Sequence, residues 1–453
     1  MALLATLILI SAFAPTALAQ VDSITTNLLA KPLSLAEAVE IARRQNSAIL
    51  QARADLRISE GVIAQTRATV LPKVGANGNY TAHDPASLES FPGPPGFATT
   101  QPGQTWQSQI QVTQSIYEGG RLKAAIRAVK LTREEARLNY QTTEADTLLN
   151  VRVAYDDVLL AVQQVAVQES SVQLLTRELE DIQKRFNAGT VPRFNVLRAE
   201  VELANAQPRL IRARNAYRIA KNNLANVLGW TLPKDVWENI PLTLSDSLEA
   251  KPFEIELPAA IARALERRTE LGALRKARGL RREDIVNARA GYKPSLQAFA
   301  GWEWHSPNFH NDLAQDFNGW LAGAQLSWNP FDGGLTRGRV MEAEARYDRA
   351  KVDLDDAGRR IELEVRTAYS DFIQAREVLA SQKKVQEQAE EALRLAEARL
   401  NAGTGTQLDV LGAQTSLTEA RTTEVQALRD YSVARARVER AMGDGMTSAQ
   451  VIR

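Results

Sequence analysis

The chain has 453 residues, with 55 Lys and Arg against 54 Asp and Glu, three His and no Cys. Length alone would suggest about three ordinary domains. The near-neutral balance excludes the basic surface of a nucleic-acid binder, and the absence of Cys excludes disulfides, thiol catalysis, thiolate metal sites and Cys-linked lipid anchors. Aromatic residues make up 6%, while Ala, Leu, Arg and Glu abound, a balance that suits long helices rather than a compact aromatic core. His83, His305 and His310 fall in two loop-like stretches, which argues against a buried His-based metal or acid–base centre.

The chain begins with an apolar segment. Met1–Gln20 carries no charged side chain, Leu3–Ala14 is an apolar run, and Ala17-Leu18-Ala19 has the A-x-A form of a cleavage site. A signal peptide over residues 1–19 is expected, although the usual Lys or Arg of its first part is missing. The rival is an uncleaved membrane anchor; Pro15 and the small-residue ending favour cleavage. No later segment is apolar for long enough to span a bilayer as a helix.

Helical periodicity then runs over Ser34–Val70 and stops before Pro72. Lys73–Thr81 alternates weakly, with Val74, Ala76, Gly78 and Tyr80 on one side, and the first strand is placed at about 73–83. After the Pro- and Gly-rich Pro85–Gly103, the segment 104–118 alternates strictly, with Trp106, Ser108, Ile110, Val112, Gln114 and Ile116 against a run of Gln, Thr and Ser. Period 2 reads as β-strand. From Gly119-Gly120 to Asn187 there is neither Pro nor Gly, which predicts a helix over about 120–187, roughly 100 Å long at 1.5 Å per residue. Val151, Tyr155, Val158, Val162, Val165, Val172, Leu175, Leu179, Ile182 and Phe186 follow the 3-4 spacing of a coiled-coil seam. Asn187-Ala188-Gly189-Thr190 is a turn with Gly as helix stop, Pro192 suits the first turn of a returning helix over about 192–228, and Pro208 should kink that helix.

The same order then recurs. A helical segment Leu257–Tyr292 precedes strands at about 295–305 and 318–330, whose one face holds Leu296, Trp302, Trp304, Trp320, Leu326 and Trp328. Long helices over about 335–401 and 406–442 come next, joined by Asn401-Ala402-Gly403-Thr404. From Gly119 to Gly229 the matches to the second half are all 214 residues apart, among them Arg152/Arg366, Tyr155/Tyr369, Asn187/Asn401, Gly189/Gly403 and Tyr217/Tyr431. Upstream, Leu35/Leu257 and Pro72/Pro294 are 222 apart, so the first copy carries a loop eight residues longer. The chain is therefore an internal duplication, divided into residues 20–230, a connector 231–254, residues 255–443 and a tail 444–453.

The strand faces pair polar with apolar and place aromatics near the strand ends, the pattern of a transmembrane β-barrel. A soluble sheet packed on a helix is the alternative. Four strands cannot close a barrel, because a bilayer tolerates no open sheet edge and even a side-chain-filled barrel needs about eight. Several chains must combine: two would give a plugged barrel, three a possible pore, and a polar lumen favours three.

The order of elements, the duplication, Tyr117-Glu118-Gly119-Gly120, Phe331-Asp332-Gly333-Gly334 and the turn motifs Arg185–Leu197 and Arg399–Leu411 resemble the TolC-type outer-membrane efflux protein family over Leu33 to Gly443. The resemblance implies a mainly α chain with a transmembrane β part: a homotrimer whose twelve strands form one barrel in outer-membrane lipid and whose twelve long helices form an α-barrel tunnel through the periplasm of a Gram-negative bacterium. Residues Trp230–Glu254 and the C-terminal residues would form a belt around the tube. The tunnel's inner end would dock a periplasmic adaptor linked to an inner-membrane transporter. Without Cys, this would be an unlipidated member.

The resemblance also implies a gate. Asp409 matches the first of the acidic residues that ring the family's inner mouth, and three copies would raise local cation concentration. The second acidic position falls on Gly412. The prototype's gate-closing Tyr and Arg fall on Leu400 and Gly405, and the first copy's counterpart of Asp409 is Asn195. Thr406-x-x-Asp409 equally reads as a capping box. Adaptor docking would use the tips, Asn187, Gly189, Thr190 and Arg193 with Asn401, Gly403, Thr404 and Gln407. Tyr80, Trp106, Trp302, Trp304, Trp320 and Trp328 would face lipid.

Nothing in the sequence has the spacing of a cofactor, metal or catalytic site: there is no Gly-rich phosphate loop, no G-x-S-x-G elbow and no metal-spaced His pair. An exit duct for small toxic molecules is expected; the same duct in polypeptide secretion or metal efflux is the alternative, and a soluble coiled-coil scaffold a distant one.

Overall fold

The computed structural model describes residues 32–88, 90–91, 99–100, 102–230, 239–307 and 313–444. The expected signal peptide, His310, part of the connector and most of the tail lie outside the described residues. The helices are α1 (Leu35–Gln45), α2 (Ser47–Ala68), α3 (Arg121–Asn187), α4 (Arg193–Leu228), α5 (Leu257–Arg267), α6 (Thr269–Arg289), α7 (Leu335–Asn401) and α8 (Gln407–Ala441). The strands are β1 (Lys73–Ala82), the two-residue β2 (Ser90–Phe91) and β3 (Thr99–Thr100), β4 (Gln104–Glu118), β5 (Ser295–His305) and β6 (Phe317–Ser327). The duplication shows in the lengths: α3 and α7 each have 67 residues, α4 and α8 have 36 and 35. Among the described residues, no helix is long and apolar enough to cross a membrane.

The chain divides into two compact units. One combines residues up to Gln51 with Thr142–Arg268 and Ile361 onward; the other combines Ala52–Gln141 with Thr269–Arg360. The helices α2, α3 and α7 run from one into the other.

The first unit holds a core built from α1, the middle of α3, the end of α4 and the connector. Ala38, Val39, Leu148, Val151, Tyr155, Val158, Leu224, Leu228 and Leu242 are buried together there. The extended connector crosses this core and is tied to the start of the chain: Leu33 donates its N–H to the Thr243 carbonyl at 2.9 Å, and Ser245 donates back to Leu33 at 3.0 Å. Buried Lys221 donates to the Asn239 side chain and, at 2.8 Å, to the Ile240 carbonyl. Burial, seconded by Arg218, lowers its pKa below the ordinary lysine value.

Each helical segment before a strand is broken once, which corrects the unbroken helices expected over Ser34–Val70 and Leu257–Tyr292. The breaks are at Asn46 and Arg268, both in extended backbone (ψ 130° and 121°). They are 222 residues apart, the upstream repeat offset. Neither is Gly or Pro, so periodicity cannot reveal them; each is held by its side chain. Asn46 accepts from the N–H groups of Ala48 and Ile49 and donates to the Val227 carbonyl, and buried Arg268 makes paired bonds to Glu364 at 2.9 and 2.8 Å. Downstream, α4 passes through Pro208 as one helix, and Pro192 is the residue before that helix rather than in its first turn.

The second unit holds one four-stranded antiparallel sheet in the order β1-β4-β5-β6. Register places Ala76, Ile110, Trp302 and Trp320 in one row, and Val74, Val112, Ala300 and Ala322 in the next, on one face. Pairing passes from Ser115↔Gln297 to Tyr117↔Leu296. Ile116, expected on the apolar face, is thus the extra residue of a β-bulge, and Tyr117 takes its place in the row.

Candidate functional site

Two regions carry the sequence-derived site residues: the helix turns of the first unit and the sheet of the second.

The two turns share one geometry. After α3, Gly189 has φ +76° and donates to the Phe186 carbonyl, while Thr190 donates its N–H to Arg185, both at 2.9 Å. After α7, Gly403 has φ +75° and donates to Leu400, and Thr404 to Arg399, both at 3.0 Å. This is the paired-bond helix stop that a left-handed glycine permits. Asn187, Gly189, Thr190 and Arg193 are exposed, as are Asn401, Gly403 and Thr404; Gln407 is half-buried and bonded to the Glu178 side chain.

Beyond these paired bonds the two turns differ. Gly405 donates to Arg399 at 3.0 Å, and a Cβ there would come within 2.9 Å of the Arg399 Cβ, so a side chain at this position would force the turn to shift. Leu400 is half-buried, and Gly412 is exposed with open space around it. Thr406 and Asp409 form a reciprocal capping box. The Asp409 carboxylate accepts from the Thr406 N–H at 2.9 Å and hydroxyl at 2.7 Å, and the Asp409 N–H donates to the Thr406 hydroxyl at 3.3 Å. These bonds, Thr406 hydroxyl first, and then the Arg399 charge hold the exposed Asp409 carboxyl below its ordinary pKa. The first copy has no such box: Pro192, just before α4, gives no side-chain cap, and the Asn195 N–H donates to the Pro192 carbonyl at 3.0 Å. Sequence reasoning misses Phe194 and Leu408, matching positions 214 apart beside the turns and both exposed. Their signal is an apolar residue at the same place after each turn.

On the sheet, Tyr80 pairs with Trp106, Trp302 with Trp320, and Trp304 lies one row from Trp302. Tyr80, Trp302 and Trp320 are exposed, Trp320 at 75%. Trp328, expected within the last strand, lies beyond the end of β6, where its indole N–H donates to the Tyr292 carbonyl at 3.2 Å. His305, the last residue of the strand expected at about 295–305, ends β5 with its ring stacked 5.8 Å from Phe317. The opposite face is mainly Asn, Gln, Ser and Thr, but Phe299 and Leu321 also belong to it. The Phe299 ring fills the space over Gly323, where a Cβ would meet it at 2.7 Å. Among the described residues, both outer strands, β1 and β6, lack a second neighbour in the sheet.

The family profile described as outer membrane efflux protein matches residues 38–230 and 260–444, one match to each copy. The chain belongs to the outer membrane efflux protein family. Its relatives include outer membrane protein TolC of Escherichia coli (strain K12), 24% identical over 428 residues, covering 92% of this chain and 83% of TolC. Another is the cobalt-zinc-cadmium resistance protein CzcC of Cupriavidus metallidurans, 25% identical over 418 residues, 91% of each chain. Among solved structures, the open state of the Neisseria gonorrhoeae MtrE outer membrane channel shares the fold, with a TM-score of 0.76 at 19% identity over 92% of this chain and 90% of that one. As a TolC-type member of this family, the chain is an outer-membrane efflux protein, mostly helical with one four-stranded antiparallel sheet.

Proposed function

We propose that the protein is the exit duct of a tripartite efflux pump. Three copies would join their sheets into one twelve-stranded barrel and their long helices into a periplasmic tunnel. The duct is passive and not an enzyme: an inner-membrane transporter supplies the energy, and a periplasmic adaptor docks at the exposed turns. Residues 239–254 of the connector would girdle the tunnel. The reading is carried by one observation. The sheet has an apolar, aromatic face open to its surroundings and two unpaired edges, an arrangement lipid admits only when the edges close on others.

At the inner mouth, three Asp409 carboxylates would form a ring. In each chain the capping box to Thr406 fixes the place of the carboxylate. In bilayer recordings, Asp409→Ala should weaken the preference for cations over anions; unchanged selectivity would remove Asp409 from the gate. Small toxic molecules are the cargo of the leading reading. The similarity to CzcC makes divalent cations the second, and a deletion strain sensitive to metal salts but not to dyes and solvents would favour it.

A further inference from the structure

One buried polar side chain of the first unit has no partner in the packing around it. Gln414 lies on the buried face of α8 with Val410, Leu411, Leu417 and Ala420. It is 4% exposed, and among the described residues neither its amide oxygen nor its amide nitrogen meets a hydrogen-bonding protein group. The duplication marks it as an exception: the matching position 214 residues earlier is Glu200, which is exposed on α4. Folded proteins rarely leave a buried amide unmet, because its lost bonds to solvent are then not replaced.

The Gln414 side chain borders a cavity of about 20 Å³ between three helices of the same unit. Its other walls include Ser171 and Leu175 of α3, Asn205 and Ala206 of α4, and Thr418 of α8. The Thr418 hydroxyl bonds the Gln414 backbone carbonyl at 2.9 Å and the Ser171 hydroxyl at 3.3 Å. Ser171 accepts in that contact, so its own proton is not spent there. One water molecule needs about 10–15 Å³ of such space and two to four polar partners. The two ends of the amide and the Ser171 hydroxyl supply three. The amide also selects among small ligands. A cation can use its oxygen but opposes its N–H groups, and an anion does the reverse; of the three, only water both gives and takes a hydrogen bond.

We propose that this cavity is the binding site of a single internal water. The water accepts from the Gln414 amide N–H, donates to the Gln414 amide oxygen and takes a third bond from the Ser171 hydroxyl. It thereby joins α8 to α3 at a point five residues beyond Asp409. A bridging water holds two groups nearly as well as a direct hydrogen bond does, and such a link can be broken and remade where interlocked apolar side chains cannot. The site lies within one chain and is independent of how copies assemble.

Two measurements on the full-length protein test the site. Electron cryomicroscopy in lipid nanodiscs, at a resolution that shows ordered water, should reveal one density peak about 2.7–3.2 Å from both Gln414 Oε1 and Nε2. An ordered amide without that peak, or an amide turned onto a protein group, would overturn the proposal. In detergent solution, the relaxation dispersion of water oxygen-17 counts long-lived internal waters. Gln414→Leu removes both amide bonds and should lower that count by one water per chain. Gln414→Met, which is unbranched, should do the same and guards against a disturbance of α8 by the branched side chain. A count unchanged in both variants would overturn the site, as would a peak that persists in either of them beside Ser171.

Discussion

Tyr155 secures the connector across the core of the first unit, and its hydroxyl is the place to test that packing. The ring is 1% exposed, and the hydroxyl lies 2.8 Å from both the Leu33 carbonyl and the Asp246 carboxylate. Burial, then the bond to Asp246, pushes its pKa far above the ordinary tyrosine value, so it stays a donor. Tyr155→Phe keeps the ring and removes one proton from between two acceptors. Neither acceptor is orphaned: Asp246 still receives the Leu35 N–H at 2.9 Å, and Leu33 still receives the Ser245 N–H at 3.0 Å. The cost is therefore near that of one hydrogen bond, about 1–2 kcal/mol, or roughly a 5- to 30-fold rise in local opening. Native-state hydrogen exchange reads it at the Leu33 and Ser245 amides, which are protected only while the connector is docked. Protection at these two should fall by that factor, with little change in the middle of α3. Unchanged protection would refute the role given to the hydroxyl.

Three more perturbations address named contacts. Ala322→Arg, central in β6 and in the row of Val112 and Ala300, puts a charge on the apolar face proposed to meet lipid, where it would cost about 2–4 kcal/mol, so the yield of assembled outer-membrane protein should fall, whereas Gln111→Arg on the opposite face should assemble normally. Gly229 and Gly189 have φ +78° and +76°, but a Cβ at Gly229 would meet the Gln45 carbonyl oxygen at 2.5 Å while Gly189 has open space. Gly189→Ala should cost only the left-handed backbone penalty, about 1–2 kcal/mol, and Gly229→Ala clearly more, read as thermal midpoints. Burial raises the Asp156 pKa despite the Ser432 bond and the nearby Arg152 and Arg429 charges. An acid with a raised folded-state pKa favours folding below its unfolded pKa, and that contribution is lost as pH rises through the folded value. Asp156→Asn should therefore flatten the decline of the thermal midpoint from acidic toward neutral pH; an unaltered slope would count against it.

Helix length, the turns and strand alternation are legible in the sequence because each is written in local pattern: absence of Pro and Gly, a glycine stop, a period of two. What escapes the sequence depends on long-range partners. The breaks at Asn46 and Arg268 are held by Val227 and Glu364, far away in the chain. The bulge at Ile116 shows only in the register against β5. Trp328 continues the alternation of β6 but leaves the ladder for the Tyr292 carbonyl. At the candidate gate, the Thr406–Asp409 box is readable from spacing, whereas the contact of Gln407 with Glu178 and the crowding around Gly405 are not.

The central claim is that β1 and β6 of separate copies close one barrel. The most direct measurement is the molar mass of the purified protein in mild detergent, by light scattering with the detergent subtracted. The account predicts three copies of the 49.9 kDa chain, less any exported leader, in a single species. A uniform single-chain species with its four strands intact would contradict it.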